Sequence, residues 1–206
     1  MSLMTNGERA VATSQTSTAS TATATAGDAA RTIALQMLEE RGRGAVLVGV
    51  ARVDAALERL LQAVLLPVRG PADTFFQPDR PLGSFGARIT LAARLGLIEQ
   101  PVEQALQTLR RVRNGFAHST TTATLTDPSH AERLQQAYAA ARSNSLWLPL
   151  ERILQDKVGA DGSPLDPVLQ DYILLITLLV AFLEAAAQKL TPQPPSVVMG
   201  FAGLTQ

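Results

Sequence analysis

A chain of 206 residues that is 46% hydrophobic but only 4% aromatic can bury one sizeable core or two small ones. Lys plus Arg and Asp plus Glu each number 18, so the formal net charge is zero, and no overall electrostatic grip on nucleic acid or an anionic membrane is implied. The absence of cysteine excludes disulfides, thiol catalysis and thiolate metal sites; it fits a reducing, cytoplasmic setting without proving one.

Leu and Ala dominate the composition and both favour helices, while the β-branched and aromatic runs expected of strands are scarce. The reading is therefore all-α. From Thr13 to Ala26 the sequence alternates Thr, Ser and Ala with little to bury, and residues 1–27 read as a disordered Ser/Thr/Ala-rich leader; no apolar stretch of a secretory signal follows the first charges. Residues 28–191 read as the folded domain and 192–206 as a Pro-containing tail.

A first helix is expected from Asp28, an acceptable N-cap, through Ile33, Met37 and Leu38 to Arg41, with Gly42 and Gly44 as punctuation. The second is the clearest: Val46, Val50, Val53, Leu57, Leu60 and Val64 recur at helical steps and the pattern ends by Pro67. Asp54 and Glu58 stand four apart and share a face beside that stripe. Pro67, Pro71, Pro78 and Pro81 then mark a loop, with Phe75 and Phe76 expected to pin it to the core. Ser84 caps a third helix through Ile89, Leu91, Ala92 and Leu95, stopped by Gly96.

Pro101, in a tolerated first-turn position, opens a fourth helix whose buried face is Val102, Ala105, Leu106, Leu109 and Val112. After His118 comes a Thr-rich stretch. Asp127, Pro128 and Ser129 start a fifth helix around Leu134 and Tyr138, and His130 reads as a solvated first-turn residue. A short helix near Trp147–Val158 and a Gly-Ala-Asp-Gly turn precede a last helix from about Pro167 to Leu190. The apolar run Tyr172–Leu183 falls short of the roughly 20 residues needed to span a bilayer, so it reads as a buried core helix or a dimer seam, with no membrane association expected.

One segment carries chemistry: Leu109-Arg110-Arg111-Val112-Arg113-Asn114-Gly115-Phe116-Ala117-His118. On a continuing helix Arg110, Asn114 and His118 line one edge, with Arg113 beside it. Arg can hold a phosphate while His moves a proton. The bland reading is equally physical. Cations and His favour the C-terminal turn of a helix through its dipole, and Arg113 would then pair with Asp54 or Glu58 while Asn114 caps the end. No Gly-rich phosphate loop is present: Gly83, Gly86 and Gly96 follow no strand and lead to no Gly-Lys-Ser/Thr. With His118 and His130 the only histidines, a zinc site would need carboxylates for its remaining ligands. No metal and no cofactor are expected.

Arg113-Asn114-x-x-x-His118 resembles the Arg/His motif of HEPN domains. Pro81-Leu82-Gly83-Ser84-Phe85-Gly86-Ala87-Arg88-Ile89, Leu95-Gly96-Leu97-Ile98, Arg113-to-Ser119 and Leu125-Thr126-Asp127-Pro128 together resemble, in that order, segments of the mannitol-operon repressor (MltR) family. The resemblance covers residues 44 to about 140 and extends to the last helix. It implies a HEPN-like bundle of about six to seven helices that forms a homodimer. It further implies either a non-catalytic regulator acting through an unknown protein partner, or a metal-independent ribonuclease. In the ribonuclease reading Arg113 and His118 would cleave RNA, Asn114 would assist, Arg110 would add charge, and Asp54 or Glu58 would orient the pair. The neutral charge and the scarcity of aromatics near the motif other than Phe116 depart from a nuclease pattern. Direct DNA binding is not expected, for want of a recognition helix.

Overall fold

The computed structural model describes residues 30–40, 42–68, 70, 74–118, 123–155, 157–158, 162–192, 199–200 and 203–204. The leader up to 29 and the Thr-rich stretch 119–122 lie outside the described residues. Within them the chain is helical: α1 (30–38), α2 (Arg43–Val64), α3 (Phe85–Arg94), α4 (Gln100–His118), α5 (Pro128–Arg142), α6 (Trp147–Gln155) and α7 (Pro167–Lys189). A two-residue antiparallel pair, β1 (Met199–Gly200) with β2 (Gly203–Leu204), lies in the Pro-containing tail.

The centre is α7 against α2. The stripe Val46, Val50, Val53, Leu57, Leu60 and Val64 is buried, as is nearly all of Tyr172–Leu183. The Tyr172 hydroxyl donates to the Val46 carbonyl at 3.0 Å, which gives the polar tip of a fully buried ring its partner. By length and mean hydropathy α7 could cross a bilayer, yet most of it is covered by the other helices. Helix α4 packs on α2, α3 and α5, and α6 closes the base against α5 and α7.

Local signals fix most of the ends. The Ala87 amide donates to Ser84 Oγ at 3.2 Å, as an N-cap requires. Gly96 stops α3 with φ 68°, a conformation that costs a side-chain-bearing residue energy. Pro128 and Pro167 occupy first-turn positions of α5 and α7, and Asp166 Oδ1 accepts from the Val168 amide at 2.8 Å.

Four expectations need correction. Gly44 does not interrupt the chain but sits in the first turn of α2, because the break falls at Gly42 alone. Helix α1 ends at 38, before Arg41, which is outside the described residues. Helix α6 stops at Gln155 rather than Val158, which instead bridges to Pro164. Of the two loop aromatics only Phe76 is buried; Phe75 is 40% exposed and meets Phe76 edge-on.

Candidate functional site

Helix α4 continues through His118, so residues 110, 114 and 118 do lie along one edge. Its apolar face of Ala105, Leu106, Leu109, Val112 and Phe116 is buried. Away from it lie half-buried Arg110 and Asn114 and exposed Arg111 and His118, while half-buried Arg113 falls beside the buried face, between Leu106 and Leu109 in helical projection. Arg110 Nε donates to Gln107 Oε1 at 3.0 Å, and its side chain lies over Gly86 of α3. Arg113 Nη1 donates to Asn114 Oδ1 at 3.3 Å. At the helix end Arg43 Nη2 donates to the Ala117 carbonyl at 3.2 Å, satisfying one of the terminal acceptors a helix leaves open.

The two carboxylates proposed for this site go elsewhere. Arg88 Nη1 meets Asp54 Oδ1 at 2.7 Å and Arg88 Nη2 meets Glu58 Oε2 at 2.8 Å. Arg88 Nε also donates to the Leu82 carbonyl at 2.9 Å and Nη2 to the Phe76 carbonyl at 3.1 Å. The cause is burial. Arg88 sits on the apolar stripe Phe85–Arg88–Ile89–Ala92 of α3, and a guanidinium only 8% exposed must have its charge and donors matched. Arg113 therefore has no ion pair with Asp54 or Glu58, and the acids do not orient His118. Among the described residues neither Arg113 nor His118 has an acidic partner.

His130 corrects another expectation: it is buried, 8% exposed. Its ring lies 5.2 Å from that of Phe116, tilted by 36°, and its Nδ1 has no hydrogen-bond partner. Gly115 makes the room, since a Cβ there would stand 2.8 Å from His130 Cε1. The preceding turn is held by Asp127, whose carboxylate accepts from the Thr124 amide at 3.0 Å and the Thr124 hydroxyl at 2.9 Å. These bonds, the amide first, hold the Asp127 carboxyl below its ordinary pKa.

That packing sets the sign of one substitution. Gly to Ala inside a helix ordinarily gains about 1 kcal/mol. Gly115→Ala is expected instead to cost a net of about 1–2 kcal/mol, because the new methyl must displace a ring pinned against Phe116. Urea unfolding of both proteins checks this, and a more stable variant would show that α5 yields freely.

A cavity of about 570 Å³ adjoins the end of α4, lined by Arg43, Phe116, Thr124, Leu125, Asp166 and Leu169 among others. Among the described residues no three His, Asp or Glu side chains come together as a metal-ligating group.

Sequence reasoning placed Arg110, Asn114 and His118 together but missed Arg88 and His130. Arg88 left a signal, as an arginine within a helix's apolar stripe. His130 left none, because the space it fills is created by a residue of another helix. Compared with protein families, curated proteins and solved structures, the chain finds no match.

Proposed function

We propose that this chain is a non-catalytic regulatory domain of MltR-like, HEPN-like type that acts as a homodimer through protein contacts. In this reading the cationic end of α4 is its docking face for an acidic partner. One observation carries it: Arg88 holds both Asp54 and Glu58, and Arg110, Arg111, Arg113 and His118 at the end of α4 have no ion pair among the described residues. Arginines without an ion pair around a helix end, Arg111 exposed among them, suit a carboxylate-rich surface. A protein partner is favoured over RNA because the chain is neutral overall and Phe116, the aromatic of the motif, is 1% exposed and cannot stack on bases.

The second reading, a metal-independent ribonuclease, is supported by the exposed His118 and by Arg113, half-buried and without an ion pair among the described residues, at the end of the same helix. There Arg113 would bind the phosphate and His118 would move the proton, with Asn114 bonded to Arg113 as positioning residue.

The deciding experiment is cleavage of a labelled RNA pool in EDTA by the wild type and by His118→Ala. The expected result is no cleavage above the variant. Cleavage that survives EDTA and is lost in the variant overturns the non-catalytic reading. Light scattering should give twice the 21.9 kDa chain mass. Reversing charge at the exposed Arg111 to Glu should weaken capture of an acidic partner without lowering the melting temperature.

A further inference from the structure

A second site lies on different helices and shares no lining residue with the cationic end of α4. Between α1, α2 and α7 is a cleft of about 400 Å³, within the size range of small-ligand sites. Arg52 of α2 lines it, together with Gln36 of α1 and the facing apolar side chains Ile33, Ala55 and Val180. Arg59 and Glu184 stand at the same cleft and pair with each other, so their charges cancel and Arg52 sets the local sign.

Arg52 is the anomaly. Its side chain is half-buried, and Nε is fully buried with no hydrogen-bond partner. Its guanidinium forms no ion pair among the described residues. The contrast with Arg88 is direct: there the fold supplies two carboxylates and two carbonyls, here Nε finds no acceptor and no carboxylate pairs with the guanidinium among the described residues. A buried N–H left without an acceptor is destabilising by itself, and a planar oxyanion is the species suited to a half-buried guanidinium, taking its two-pronged fork.

We propose that this cleft binds a small molecule bearing a single carboxylate or phosphate head and a short apolar body, with Arg52 gripping the head, Gln36 flanking it, and Ile33, Ala55 and Val180 covering the body. Glu184 disfavours polyanions, and the volume excludes a macromolecule. The site is an effector site built into the α1–α2–α7 layer, and it stands whether the end of α4 docks a protein or cleaves RNA.

The test is calorimetric titration of the full chain with butyrate, butyl phosphate and, as the uncharged control, butanol. The expected result is saturable binding of at least one anion and none of butanol; which anion binds names the head group. Arg52→Met should abolish binding while melting at or above the temperature of the unliganded wild type, since it removes a buried N–H donor that has no acceptor. Arg52→Lys keeps the charge but not the fork and should weaken binding on the order of tenfold. No saturable binding of either anion overturns the proposal, as does binding that Arg52→Met retains.

Discussion

Arg88→Ala is expected to lower the unfolding free energy by about 3 kcal/mol, the low end of the loss for breaking a buried ion pair. The low end applies because Asp54 and Glu58 keep 20% and 30% of their side-chain surface exposed and water can partly replace the guanidinium. The substitution strips four acceptors at once: two carboxylates of α2 and the carbonyls of Leu82 and Phe76. It also brings two like charges face to face. For a domain of this size the melting temperature should fall by roughly 6–12 °C. Arg88→Lys should recover only part of this, because an ammonium cannot reach acceptors from three segments in one plane. Urea unfolding measures both. A loss under about 1 kcal/mol would reduce the cluster to an ordinary surface pair.

That cluster also marks the limit of what the chain discloses before folding. Periodicity located the helices because burial imposes it: Val46 to Val64 in α2 and Tyr172 to Leu183 in α7 are both core. Caps located their ends at Ser84, Gly96 and Pro167, where the local backbone chemistry is self-contained. The i, i+4 spacing put Asp54 and Glu58 on one face, and they do share one guanidinium. Spacing says nothing of which arginine that is, because the partner is chosen by a packing angle between α2 and α3. The candidate site divides the same way. The edge of Arg110, Asn114 and His118 followed from helical geometry alone, whereas its lack of acidic partners depended on where Arg88 went. Arg52 was silent for the mirror-image reason: an orphan donor is defined by what no other element brings to it.

Gly83→Ala is expected to cost about 2–3 kcal/mol, by contact rather than by backbone dihedral. Gly83 does not hold a positive φ, so alanine is not barred there by conformation. A Cβ at this position would lie 2.4 Å from the Gln77 carbonyl oxygen and 3.2 Å from that of Arg80. Both are backbone atoms already bonded within the turn, the Gln77 carbonyl to the Arg80 amide at 3.1 Å and the Arg80 carbonyl to the Gly83 amide at 2.9 Å. Neither can swing aside as a side chain would, so the 77–83 segment must move as a piece, which places the cost toward the upper part of the range for overpacking. The carbonyls that hold Arg88, those of Phe76 and Leu82, flank that segment and must move with it. The two losses should therefore overlap. Gly83→Ala combined with Arg88→Ala is expected to cost less than the sum of the single substitutions by about 0.5 kcal/mol or more, as neighbours sharing one network do. Strict additivity would separate the turn from the buried arginine and assign Gly83 to loop closure alone.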